Sequence, residues 1–256
     1  MLLEGKQGLI FGVANKRSIA WAIAQALHRE GCALAFTYQG ERVEPMVREL
    51  AASIGSSLVL PCDVTSDEQL DAVFAAVDRE WGGLDLLVHS IGYAPSEELG
   101  GRFTDTNRKN FLLTMEISAY SLPAMVRRAE PLMERRGGGA VVTLTYLASE
   151  RPVPRYNVMG VAKAALESSM RYLASELGQK NIRVNAISAG PLRTLAARSI
   201  SGFTDMEEVF RQRNPMRRSI EQSEVGDAAL FLLSPLARGI TGEVLFVDAG
   251  YNIMGM

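Results

Sequence analysis

The chain has 256 residues, with 27 Lys and Arg against 29 Asp and Glu and a formal net charge of -2, so it carries no global basic footprint for nucleic acid or an anionic membrane. Hydrophobic residues make up 47% of it, and a chain of this length buries roughly 70 to 75% of its unfolded surface, which leaves no need for a disulfide or metal staple. Cys32 and Cys62 lie in apolar surroundings without ligand spacing and read as core residues; His28 and His89 lack a carboxylate cluster and read as structural, so no metal is expected.

In chain order, short apolar runs predict strands at Leu9 to Phe11, Ala33 to Thr37, Leu58 to Leu60, Leu84 to Val88, Ala140 to Leu144, Ile182 to Ile187 and Glu243 to Val247. Helical stretches alternate with them, at Trp21 to Gly31 and most clearly at Ser66 to Trp81, where Ser66-Asp67-Glu68-Gln69 is a capping box. This alternation implies an α/β fold: one doubly wound parallel sheet of about seven strands with helices on both faces, forming a single domain over residues 1–256. The first three residues are apolar but Glu4 interrupts them, and no apolar run reaches about 18 residues, so neither a signal peptide nor a membrane span is expected and a cytoplasmic setting is.

In such a sheet the ligand crevice lies beyond the carboxyl ends of the strands. After the first strand come Gly12 and then Ser18-Ile19 at a helix start, a place where backbone N–H groups and the helix dipole favour a phosphate. The usual G-x-G-x-x-G is missing, and an ordinary turn with Ser18 as helix cap reads the loop equally well. The second strand ends at Gln39, with no acid to select a ribose hydroxyl, and Arg42 nearby is opposed by Glu41; NADH is favoured and NADPH left open. The third ends at Asp63-Val64 and the fourth at Ser90-Ile91-Gly92.

Beyond the fifth strand, Tyr146 precedes a Pro-containing loop, and Tyr156 through Lys163 opens a long helix. Seven helical residues turn through nearly two full turns, so Tyr156 and Lys163 share one edge. The core-facing arc holds Val158, Val161, Ala162, Ala165, Leu166, Leu173 and Leu177, with Lys163 at its border, where a lysine either finds a partner or runs its stem out to water.

These stretches, together with Arg183 to Thr194 and Thr241-Gly242-Glu243-Val244, resemble the short-chain dehydrogenase/reductase superfamily and, within it, the divergent enoyl-acyl-carrier-protein reductases of bacteria. Ordinary members of the superfamily carry Tyr-x-x-x-Lys; here Met159 stands four before Lys163, and the six-residue spacer from Tyr156 is the enoyl reductase pattern. The resemblance implies a Rossmann-like domain that uses NADH, with NADPH left open, to reduce the trans-2 double bond of an enoyl chain on acyl carrier protein. It implies catalytic roles for Tyr156, Lys163 and Tyr146, and cofactor contacts from Gly12, Ser18, Ile19, Gln39, Asp63, Val64, Ser90, Ile91, Gly92, Lys163, Pro191, Leu192 and Thr194. It also implies an acyl pocket touched by Tyr146, Tyr156, Met159, Ala196 and Ile200, a substrate lid around residues 192–210, and a homotetramer.

Residues 190–220 contain six arginines against three acids, a surface on which the acidic carrier protein could dock or simply a solvated basic face. Two other readings stay open at this point: a 3-ketoacyl or other carbonyl reductase of the same superfamily, which the Met159 position disfavours, and a catalytically silent nucleotide-binding regulator.

Overall fold

The computed structural model describes residues 1–194 and 202–255. In chain order these form β1 (Gln7–Phe11), α1 (Ile19–Arg29), β2 (Ala33–Tyr38), α2 (Glu44–Ser53), β3 (Val59–Pro61), α3 (Asp67–Trp81), β4 (Leu86–His89), α4 (Arg108–Met115), α5 (Ser121–Arg135), β5 (Gly139–Thr145), α6 (Asn157–Leu177), β6 (Ile182–Ala189), α7 (Phe203–Arg213), α8 (Gln222–Leu233) and β7 (Val244–Val247). The strands make one seven-stranded sheet in the order β3-β2-β1-β4-β5-β6-β7. Neighbours pair in parallel, with Gly8 opposite Leu86 in the central β1–β4 ladder.

Alternation along the strands divides the core between the two faces. Ile10, Val88, Val142 and Ile187 pack with Trp21, Ile23 and Leu27 of α1 and Val225 and Leu233 of α8. Leu9, Phe11, Leu87, Val141 and Val184 point the other way, toward Phe74 and Val77 of α3, Leu122 and Met125 of α5, and Leu166 and Met170 of α6. Each such side chain, taken fully out of water, contributes about 1.5 to 3 kcal/mol, so the two apolar layers supply the main stabilising term. Cys32 and Cys62 are free thiols buried on opposite faces of the sheet, and burial pushes both thiols up to about 12. They are inert packing residues.

Local details depart from the sequence expectation in four places. The helix expected to run to Gly31 stops at Arg29, because Gly31 takes φ +89 to turn the chain into β2. Only half of the capping box at Ser66 forms: Ser66 Oγ accepts from Gln69 N–H at 3.2 Å, while the Gln69 side chain turns instead to the Asp63 N–H at 2.8 Å. Ser66 N–H is already bonded to the Asp63 carbonyl and leaves Gln69 nothing to do there. The weakly periodic stretch after Leu192 includes α7, whose inner face is signalled only by Phe210, 3% exposed and stacked on Tyr251 at 5.1 Å. On α6, Val161 is 38% exposed rather than core-facing, because the buried arc is centred on Val158, Ala162, Leu166 and Met170. That rotation carries Lys163 inward. Among the described residues no helix is long and apolar enough to cross a membrane.

Candidate active site

The strand order reverses between β1 and β4, and the loops leaving these two strands meet there. Gly12 follows β1 at φ +101 with its Cα against the Ser90 carbonyl, so close that a Cβ would lie 2.0 Å from that oxygen. Only glycine satisfies both the left-handed backbone and the contact. Ser18 stands at the start of α1, but its hydroxyl does not cap that helix. It accepts from the Ala14 and Asn15 N–H groups at 3.0 and 3.1 Å and folds the loop back on itself. The cap expected of Ser18 is thus replaced by a loop clamp, and the first turn of α1, which opens with Ile19, carries no acid.

The tips of β2 and β3 are tied together. Gln39 Nε2 donates to Asp63 Oδ2 at 3.1 Å, and Asp63 Oδ1 accepts from both the N–H and the hydroxyl of Thr65. Burial opposes the Asp63 charge, but these hydrogen bonds outweigh it and hold the carboxyl below its usual range. Val64 beside it is half-buried against α3's side of the core. Arg42 is exposed.

Lys163 comes off the second turn of α6 and is 6% exposed, too deep for its stem to reach water. Its ammonium donates to the Leu144 carbonyl at 2.8 Å and to the Ile91 carbonyl at 3.3 Å, linking the ends of β5 and β4. Gly92 closes over it: a Cβ there would sit 3.4 Å from Lys163 Nζ and 3.6 Å from Met159 Cε. Burial draws the lysine down to about 8, with Glu167 one turn further along α6 opposing the shift. The ammonium is therefore charged at neutral pH. Glu167, 5% exposed, accepts from Thr145 Oγ1 at 2.5 Å, so consecutive residues of β5 are strapped to consecutive turns of α6. The position i+4 to Lys163 was a readable hint of Glu167, but nothing in the sequence pairs it with Thr145.

Tyr156 lies just outside α6 with φ -121 and ψ -21, and its ring packs at 58° against that of Tyr146 with centroids 4.9 Å apart. The shared helical edge expected for Tyr156 and Lys163 therefore holds only for the lysine; the phenol is placed by the ring contact and by Val158, Met159 and Ala162, with which it packs. Tyr146 OH reaches Met206 Sδ of α7 at 3.7 Å. Burial raises both phenols, Tyr146 up to about 12 with help from Tyr251 and Asp248, and Tyr156 well above the ordinary range with help from Tyr146. Both are neutral hydrogen-bond donors at any working pH.

Pro191 and Leu192 are buried beyond β6, and Thr194 N–H bonds the Leu192 carbonyl at 2.8 Å. Ala196 and Ile200 fall outside the described residues, as does most of the first half of the expected lid. Three arginines of the basic segment are paired: Arg193 with Glu207, Arg211 with Glu208 and Arg218 with Glu224. Among the described residues no cluster of three or more His, Cys, Asp and Glu is arranged to hold a metal.

The sequence reading took His89 as structural and passed over Ser118 and Ser121. His89 is fully buried at the end of β4 and hydrogen-bonded on both ring nitrogens, to Thr143 and Ser121 at 2.8 Å each.

A family model described as enoyl-(acyl carrier protein) reductase matches residues 12–252. The chain is 54% identical to the NADH-type enoyl-acyl-carrier-protein reductase FabI of Bacillus cereus, covering 99% of both chains. It is 54% identical to the corresponding FabI of Aquifex aeolicus, covering 100% of this chain and 94% of that one. Among solved structures it superposes on the Bacillus cereus enzyme in complex with NADP+ and an indole naphthyridinone with a TM-score of 0.97 at 53% identity, covering 100% and 99% of the two chains. The Anaplasma phagocytophilum reductase in complex with NAD gives 0.96 at 49% identity over 100% and 97%. With this match running through both tyrosines, the buried lysine and every strand of the sheet, the chain belongs to the enoyl-acyl-carrier-protein reductase family.

Proposed function

We propose that the protein reduces the trans-2 double bond of enoyl chains carried on acyl carrier protein, with NADH as reductant. The observation that carries this is a buried, charged Lys163 bridging the ends of β4 and β5, with the packed, neutral phenols of Tyr146 and Tyr156 on the segment between β5 and α6, within a chain about half identical to NADH-type reductases. The residues fit a dinucleotide. Gly12 and Ser90 bring backbone together where any side chain would intrude, and α1 begins without an acid beside it. Gln39 and Asp63 form a neutral-plus-acid pair that accepts ribose and adenine donors without inviting a second phosphate. When bound, the nicotinamide supplies a hydride to C3 of the enoyl chain.

The chain's own groups then handle the charge that develops on the thioester oxygen. Tyr156 donates a hydrogen bond to that oxygen and stabilises the enolate, a contribution of about 3 kcal/mol for a single well-placed donor. Lys163 would hold the ribose hydroxyls and add its positive charge to the same field. Tyr146 packs edge-on against Tyr156 and fixes the angle of its ring, while Met159 and the α7 side of the pocket would line the acyl chain. Arg193 is held by Glu207, and Arg198 lies outside the described residues, so among the described arginines of this segment Arg213 and Arg217 are the better candidates for docking an acidic carrier.

The deciding assay is oxidation of NADH, and separately NADPH, on mixing with a medium-chain trans-2-enoyl thioester, beside a 3-ketoacyl thioester. Turnover with the enoyl substrate alone is expected, and Tyr156→Phe is expected to lose roughly 100-fold in kcat while the Kd for NADH stays within about twofold. Turnover with the ketoacyl substrate alone would mean the carbonyl-reductase reading is correct; binding without turnover on any thioester would favour a silent regulator. Reversing Arg213 and Arg217 together to Glu should raise KM about tenfold for a carrier-bound substrate and leave it unchanged for a small thioester. Equal effects on both substrates would remove the docking surface.

A further inference from the structure

Helices α4 and α5 are joined without a break by a π-helical turn, Glu116–Tyr120. Such a turn gives up regular hydrogen bonding and is kept where it aims side chains at a functional site. Here Ser118 within the turn and Ser121 immediately after it, both fully buried, face the loop that leaves β4. Ser118 Oγ accepts from the Tyr93 N–H at 2.9 Å and donates to the Tyr93 carbonyl at 3.0 Å, pinning the far end of that loop. Ser121 serves the near end through His89.

The direction of each hydrogen bond around His89 follows from the donor count. Ser121 Oγ spends its single proton on the Ile117 carbonyl at 2.6 Å, so toward His89 it can only accept. His89 Nε2 therefore carries the ring proton. Its Nδ1 is then a bare lone pair and accepts from Thr143 Oγ1 at 2.8 Å. The chain Thr143 to His89 to Ser121 to Ile117 is complete and uncharged, and it spans β5, β4 and the π turn. Burial, together with the nearby Lys163 charge, draws the imidazole down to about 3, so it stays neutral under working conditions.

Between the two pinned ends lie Ser90, Ile91 and Gly92. The Ser90 carbonyl packs on Gly12, and the Ile91 carbonyl accepts from Lys163. We propose that His89, Ser118 and Ser121 form a brace that fixes the 90–92 turn from behind, making them positioning residues for the cofactor rather than participants in the chemistry. The inference rests on the reading of residues 90–92 as a cofactor-binding turn.

The test compares NADH binding by fluorescence titration and separate KM values for NADH and an enoyl thioester in wild type, Ser118→Ala, His89→Leu and His89→Gln. Ser118→Ala leaves the Tyr93 N–H without its partner and should raise Kd and KM for NADH roughly tenfold, with the enoyl KM within about twofold of wild type. His89→Leu should do at least as much, and His89→Gln, which retains a donor toward Ser121, should recover part of the loss. Should His89→Leu fail to fold, Ser118→Ala alone decides. A core variant of similar thermal destabilisation on α2, Val47→Ala, serves as control, since Val47 is buried in the other apolar layer from the one Ile91 packs against. Folded variants that bind NADH as wild type does, or a control that weakens binding equally, overturn the brace while leaving the reductase reading intact. A wild-type protein that binds no NADH overturns both.

Discussion

Lys163→Met is expected to lower kcat/KM by on the order of 100- to 1,000-fold, because it removes a buried cation that bridges the ends of β4 and β5 and with it the charge proposed to favour the enolate. A second signature distinguishes this from simple misfolding. The folded lysine is drawn down to about 8 from an ordinary 10.5. Its charged form is complete below pH 7 and lost as pH rises through 8, so wild-type kcat/KM should be flat on the acid side of 7 and fall tenfold per pH unit above about 8. Stability runs the other way. A group whose folded value is depressed penalises the folded state while it is charged, and that penalty is relieved as pH climbs from 8 to 10.5, so wild type should gain up to about 3 kcal/mol relative to Lys163→Met over that window. Opposite slopes for activity and stability identify the lysine; a wild-type rate that stays flat to pH 9.5 would remove its charge from the reaction.

The other large effect belongs to Gly12→Ala. The added carbon meets the Ser90 carbonyl at 2.0 Å and sits on a backbone with φ +101. Relief requires the β1 and β4 loops to separate, which costs about 2 to 4 kcal/mol and moves them out of register with any dinucleotide laid across them. Thermal denaturation should fall by roughly 5 to 15 °C, and NADH affinity by at least about 100-fold. Gly55→Ala makes the natural comparison: Gly55 has φ +74 but nothing within 4 Å of an added Cβ, so it isolates the backbone term, about 1 kcal/mol with no effect on the cofactor. If Gly12→Ala is as mild as Gly55→Ala, the close approach does not carry the site.

The layers of this fold were legible because burial on both faces leaves continuous apolar strands, and because α1, α3 and α6 repeat apolar positions at helical spacing. The candidate site was legible where the motif resembles a known family, as at Tyr156 and Lys163, whereas Gly12 stood as one of two equal readings of its loop until its close approach to Ser90 was seen. What the sequence hid were contacts made by small hydroxyls across long separations. Ser118 and Tyr93, Thr145 and Glu167, and Ser121 and His89 have no period and no spacing to betray them, and serine in a helix usually signals a cap or a solvated face. Tyr156 was misplaced on the helix for a related reason: its position is decided by the Tyr146 ring, ten residues back in a loop whose path no local rule gives.

The central ladder, which joins Gly8 to Leu86, has a consequence for how the molecule is assembled. No stretch of chain shorter than the one from Gly12 to Ser90 contains both walls of the nucleotide crevice, since β1 must wait for β4 to be present before their loops can meet. Pairings across such sequence separations are slow and form late. A cofactor that recognises the Gly12 and Ser90 junction therefore recognises only a chain in which β1 and β4 are already paired. Nicotinamide binding should protect the amide hydrogens of β1, β4 and β5 together, as one cooperative block, rather than those of the loops it touches.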